Sequence, residues 1–202
     1  TGVQGRAHAE TIAGALEGVR DVSFTFVSRH EPAGLRWPWA ASESAEAVAA
    51  LGRAGLVVTA TSSSQPILSA EHLRNDATVL AVGAHTADTR ELHESVLDGA
   101  QVVVEDLGAA QREAGDVVIA VEKGALAWDD VVPMAAVVRG EVELDPARRV
   151  VFKTVGMPWE DLAVARGDGA GVNAKRSPCG LLRGAPPTGL EPVTLRLTVE
   201  CS

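Results

Sequence analysis

The order in which apolar runs and helical segments follow one another constrains this chain more than any single residue does. Short β-branched runs at Val22 to Val27, Gly55 to Ala60, Thr78 to Val82, Val102 to Glu105 and Val150 to Lys153 alternate with Ala- and Glu-rich segments. Runs that are apolar at nearly every position suit strands covered on both faces. Their alternation with helices builds parallel sheets from βαβ units. The helix candidates between them are Arg6 to Leu16, Ser44 to Ala50, Thr89 to Leu97, Leu107 to Ala114 and Pro133 to Arg139, with Ala70 to Leu73 as a short turn. Trp37-Pro38-Trp39 reads as a loop, because proline breaks a helix. The expected fold is α/β, a Rossmann-like doubly wound parallel sheet entered after its first strand.

A length of 202 residues with 46% hydrophobic composition suffices for one medium core. The formal charge of −9 argues against nucleic-acid and membrane-surface partners, which need clustered positive charge. No apolar run approaches the roughly 20 residues that span a bilayer, and the expected compartment is the cytoplasm. Thr1 stands where an initiator Met would, so the chain need not begin where its gene begins.

Composition changes near residue 165. Residues 166–202 hold 6 of the 20 Gly, 4 of the 10 Pro and both cysteines, Cys179 and Cys201, with five Lys or Arg against three Asp or Glu. The expected organisation is therefore one domain over 1–165 and an irregular segment over 166–202. Its abrupt onset is what a shift of reading frame produces, and its last residues resemble translation across a transfer-RNA gene. A genuine flexible extension is the alternative. Pro192 to Ser202 alternates weakly, as a strand does, yet deletion of 166–202 is expected to leave the melting temperature nearly unchanged.

Thr1-Gly2-Val3-Gln4-Gly5 leads directly into the first helix candidate. One more glycine before Thr1 would complete the Gly-x-Gly-x-x-Gly turn, which brings backbone close to a pyrophosphate at a helix N-terminus. An ordinary glycine turn is the alternative. The strand that follows ends in Val27-Ser28-Arg29-His30, where NAD-specific folds carry an acidic residue for the ribose 2′-hydroxyl. A hydroxyl and a guanidinium suit a 2′-phosphate instead, so NADP(H) is preferred and NAD(H) remains possible; Glu31 is close by, and Arg29 as a solvated strand-end charge is the alternative. No His, Cys, Asp or Glu grouping has metal-ligand spacing, and Ser62-Ser63-Ser64 lacks a Gly-x-Ser-x-Gly elbow. His8 reads as structural, His72 and His93 as surface residues, and Trp37, Trp39, Trp128 and Trp159 as packing or interface residues.

Four motifs together carry a resemblance. They are Thr1-Gly2-Val3-Gln4-Gly5-Arg6-Ala7-His8; Val58-Thr59-Ala60-Thr61; Val82-Gly83-Ala84-His85 with Arg90-Glu91-Leu92; and Phe152-Lys153-Thr154-Val155-Gly156 with Glu160-Asp161-Leu162-Ala163. In this order and spacing the chain resembles the ornithine cyclodeaminase and mu-crystallin family. The resemblance implies an NAD(P)-dependent oxidoreductase, homodimeric at full length, with a Rossmann-type domain and a substrate and dimerisation domain built mainly from chain that would precede Thr1. Gly2, Val3 and Gln4 would line the pyrophosphate, and Ser28, Arg29 and His30 the adenosine ribose. Thr59, Ala60, Thr61 and Ser62 would border the cofactor, and Val82 and Gly83 would pass close to the nicotinamide. Thr154 stands where the family has Ser, with the hydroxyl kept.

The informative departure is His85, which occupies the position of an acidic residue that activates the amino group or water in ornithine cyclodeaminases. A histidine supplies no fixed negative charge but moves protons near neutral pH. The resemblance therefore implies reduction of a cyclic ketimine, such as a pyrroline- or piperideine-carboxylate, or of an imino or keto acid to an amino acid. The segment alone is expected to bind nucleotide without turnover. The alternatives are a non-catalytic NADP(H)-binding, crystallin-like protein, an ornithine cyclodeaminase lyase, and a fragment with no stable fold.

Overall fold

A computed structural model describes residues 3–16, 22–158, 162 and 196–201. Thr1, Gly2, residues 17–21, Trp159 to Asp161, residues 163–195 and Ser202 lie outside the described residues. The chain divides into one compact unit, Thr1–Val155 with Pro192–Ser202, and a second, Gly156–Glu191.

The first unit runs α1 (Val3–Leu16), β1 (Val22–Ser28), β2 (Trp39–Ala41), α2 (Ala45–Arg53), β3 (Leu56–Thr59), β4 (Thr78–Ala81), α3 (Glu94–Leu97), β5 (Gln101–Val104), α4 (Leu107–Glu113), α5 (Gly115–Glu122), β6 (Val131–Pro133), α6 (Met134–Val138), β7 (Val150–Lys153) and β8 (Arg196–Cys201). These strands form a single sheet in the order β2-β1-β8-β3-β4-β7-β5-β6. Every pairing is parallel except the two made by β8. Alternate positions explain the layering. Val57, Val79, Val102, Val104 and Val151 face a core closed by Leu51 of α2, Val96 and Leu97 of α3, Ala110 of α4 and Val117 of α5. Val58, with partly buried Leu56, Leu80 and Val82, faces the opposite way toward Ala9 and Ile12 of α1. Helices on both faces make the sheet doubly wound, the Rossmann-like arrangement expected from the alternation.

Local chemistry sets the helix starts. The Ser44 hydroxyl accepts from Ala47 N at 3.1 Å to cap α2, and Asp106 Oδ1 accepts from Ala109 N at 2.7 Å to cap α4. Trp37 stacks on Phe26 with ring centres 5.2 Å apart, and the Arg36 guanidinium lies 4.1 Å above Trp37, so Trp37 packs as expected.

Several expectations are corrected. Helix α1 begins at Val3, inside the expected glycine turn, so Val3 and Gln4 are helical. The Thr89 to Leu97 segment is helical only over Glu94–Leu97. Before that, Leu92 pairs with Leu68 in a parallel bridge, and Asp116 Oδ1 accepts from the backbone N–H groups of Glu91 and Leu92, an arrangement incompatible with a helix there. Helix α5, with its run Val117-Val118-Ile119-Ala120-Val121, was not anticipated. Trp39 leaves the expected loop to begin β2. At the other end of the chain, Arg196–Cys201 is not irregular: β8 lies between β1 and β3, paired with β1 from Val22↔Cys201 to Val27↔Arg196 and with β3 from Leu56↔Val199 to Thr59↔Arg196. No helix among the described residues is long and apolar enough to cross a membrane.

Candidate active site

Strands β1, β3, β4, β7 and β5 point the same way, so their carboxyl ends share one edge of the sheet. Ligands of open parallel sheets bind beyond this edge. Helix α1 precedes β1 and packs against it, and Arg6 in its first turns donates to Ala33 O in the loop after β1. The start of α1 is thus at the same edge. Val3 and Gln4 lie in its first turn, where backbone N–H groups have no helical acceptor and favour an anion. Gly2 lies outside the described residues.

The turn after β1 divides its polar groups between structure and solvent. Ser28 is fully buried; its hydroxyl donates to His30 O at 2.8 Å and accepts from Trp39 Nε1 at 2.9 Å. That proton is committed to the turn and is not offered to a phosphate. Arg29 and His30 are exposed.

The ends of β3 and β4 carry the middle of the edge. Thr59 is fully buried and donates its hydroxyl to Glu91 Oε2 at 2.8 Å. It therefore supports the edge from within. Ala60 is half-buried, Ser62 exposed, and Thr61 is held by Glu91 Oε1, which accepts from its N–H at 2.6 Å. Val82 is half-buried. A Cβ on Gly83 would stand 2.2 Å from Thr61 O, so only glycine fits where the two strand ends approach. Ala84 follows with a φ of +50°, the left-handed region, and the chain then turns out to present an exposed His85. At β7, the Thr154 hydroxyl donates to Glu105 Oε1, and Glu105 Oε2 accepts from Val155 N at 3.1 Å. Thr154 can thus meet a ligand only as an acceptor.

Beneath this edge lies a charged network that the motif reading missed. Glu91, Asp116 and Lys153 have at most 1% of their surface exposed. Lys153 Nζ donates to Ala81 O at 3.2 Å, to Thr154 O at 3.0 Å and to Gly83 O, and stands 3.6 Å from Asp116 Oδ2. Desolvation pushes the Asp116 carboxyl up to about 6 against the pull of Lys153, and the same desolvation lowers Lys153. The signal was available as charge inside apolar runs, Val150-Val151-Phe152-Lys153 and Gly115-Asp116-Val117-Val118. Such residues are seldom fully buried unless paired.

Among the described residues, no group of three His, Cys, Asp or Glu side chains gathers to hold a metal. A groove of about 550 Å³ is lined by His72, His93, Ser69 and Ser95, and no residue singled out for the cofactor lines it. The Nδ1 atoms of its histidines are tied to Ser69 Oγ and Ser95 Oγ at 3.1 and 3.0 Å.

The model of the ornithine cyclodeaminase/mu-crystallin family matches residues 33–167. The chain belongs to this family. Delta(1)-pyrroline-2-carboxylate reductase 2 of Burkholderia ambifaria is 36% identical over 121 residues, which is 60% of this chain and 37% of that protein. The Delta(1)-pyrroline-2-carboxylate/Delta(1)-piperideine-2-carboxylate reductase of Azospirillum brasilense is 30% identical over 186 residues, 88% of this chain and 56% of that protein. The iminosuccinate reductase of Paracoccus denitrificans, solved in complex with NAD+, aligns with a TM-score of 0.53 and 28% identity over 64% of this chain and 39% of its own. The chain thus spans between 37% and 56% of the length of these curated relatives.

Proposed function

We propose that this chain is the nucleotide-binding part of an NAD(P)H-dependent reductase of cyclic ketimines or of imino or keto acids, acting on small molecules as a homodimer when whole. The observation that carries the reading is the gathering of the α1 start, Arg29, Ser62, Val82 to His85 and Thr154 at one carboxyl edge in a member of this family. The relatives' names supply the reaction class.

The residues fit a dinucleotide on physical grounds. The first turn of α1 offers unpaired N–H groups to a pyrophosphate. Gly83, where a Cβ would strike Thr61 O and the Glu91 carboxylate, lets the ends of β3 and β4 close together beneath the edge. When bound, the nicotinamide supplies a hydride to an sp² carbon. The chain's own residues do the rest. Exposed Arg29 and His30 hold the 2′-phosphate, because Ser28 has spent its proton within the turn. His85 delivers a proton to the substrate nitrogen or oxygen as the C=N or C=O bond is reduced. Histidine at this position favours reduction over ornithine cyclisation, since it lacks a fixed negative charge.

Arg29→Ala tests the cofactor preference. Loss of a bidentate, charge-assisted contact is expected to weaken NADPH roughly tenfold or more, while NADH changes little. Nicotinamide fluorescence titrations measure both. An equal change for the two cofactors would remove the 2′-phosphate assignment.

A further inference from the structure

Glu91 is buried without exposed surface, beneath the strand ends that form the edge. Its two oxygens accept from three donors: Thr59 Oγ1 at 2.8 Å, Gly83 N at 2.8 Å and Thr61 N at 2.6 Å. Those donors belong to the ends of β3 and β4, the two strands whose final turns carry Ser62 and His85. The backbone N–H of Glu91 is in turn held by Asp116 Oδ1 at 2.8 Å, and Lys153 binds the carbonyl of the same Gly83. Gly83 is thus gripped on both sides, its N–H by Glu91 and its C=O by Lys153.

Burying a carboxylate carries a desolvation penalty, and an apolar side chain of similar volume often stabilises as well or better. What an apolar side chain cannot do is fix the directions of two neighbouring backbone N–H groups. Without an acceptor, the Thr61 and Gly83 amides would be buried and unpaired, and their turns would rotate to find one. Rotation at Gly83 would carry Ala84 out of its left-handed conformation and swing His85 with it.

We infer that Glu91 is a positioning residue for the nicotinamide half of the nucleotide site: it acts through Gly83 and Thr61 to fix the turns that carry His85 and Ser62. The inference rests on the proposed nucleotide binding and adds a division of labour along the edge. Arg29 and His30, beyond β1, serve the adenosine half and have no contact with Glu91.

The test is a pair of titrations on the full chain, with NADPH and with adenosine 2′,5′-bisphosphate, which carries only the adenosine half. Glu91→Gln keeps the size but sets an amide N–H against one of the three donors. Its affinity for NADPH is expected to fall roughly tenfold, while that for the bisphosphate stays within about twofold. Thr59→Val, which removes only the hydroxyl donor, covers the case in which Glu91→Gln does not fold, and is expected to shift the same ratio by a smaller factor. Equal weakening of both ligands, or no weakening of NADPH, would overturn the inference. A wild-type chain that binds neither ligand would overturn the nucleotide reading and this inference with it, an outcome visible before any variant is made.

Discussion

Replacing Val199 with proline is expected to remove about 1–3 kcal/mol of stability, a substantial part of what a domain of this size possesses. Val199 lies in the middle of β8, opposite Phe24 of β1 on one side and Leu56 of β3 on the other. Proline donates no hydrogen bond to a sheet ladder and is confined to edges and bulges; here it would leave an interior acceptor unpaired. Deleting residues 196–202 is expected to be more damaging still, because β1 with β2 would then be cut off from the five strands on the far side of β8. Both newly exposed strand edges would lie at the centre of the sheet. Composition alone pointed to the opposite result, a tail whose removal leaves the melting temperature unchanged. Urea unfolding of Val199→Pro and of the shortened chain decides between them, and unchanged midpoints would mean that β8 does not hold the sheet together.

The second large effect concerns Lys153→Met. The ammonium satisfies the carbonyls of Ala81, Gly83 and Thr154 and faces Asp116. Removing one partner of a buried pair strands the other, and a loss of about 3–5 kcal/mol is expected near neutral pH. Its pH dependence has a definite sign. The Asp116 carboxyl lies at about 6 in the folded chain, above its ordinary 3.8, so its linked stability is fully present below the lower value and is lost as pH rises through the upper one. Without the lysine that carboxyl is held higher still and is neutral in acid. The destabilisation by Lys153→Met should therefore be smaller at about pH 5 than at about pH 8. Urea midpoints for both chains at the two pH values measure this, and a larger loss in acid would contradict the pairing.

The core strands were legible because burial on both faces leaves an unbroken apolar run, as in Val150 to Phe152. Edge and inserted strands were not. Strand β6 is three residues ending in Pro133, β2 follows Pro38, and β8 alternates only weakly and takes its place from partners more than 130 residues away in the chain. Helix α5 hid behind β-branched residues that carry a strand's propensity while packing as a buried helix. The site was legible as motifs at strand ends. What those motifs could not reveal is which hydroxyls are free. Ser28, Thr59 and Thr154 each read as a ligand contact, and each donates its proton to the protein itself.

The most direct test of the central claim is a titration of the isotope-labelled chain with NADPH and with NADH, followed by backbone amide NMR. The account predicts saturable binding, tighter for NADPH, with shifts concentrated at Val3 and Gln4, Arg29 and His30, Ser62, Val82 to His85 and Thr154. Shifts confined to the groove lined by His72 and His93, or no binding of either nucleotide, would contradict it.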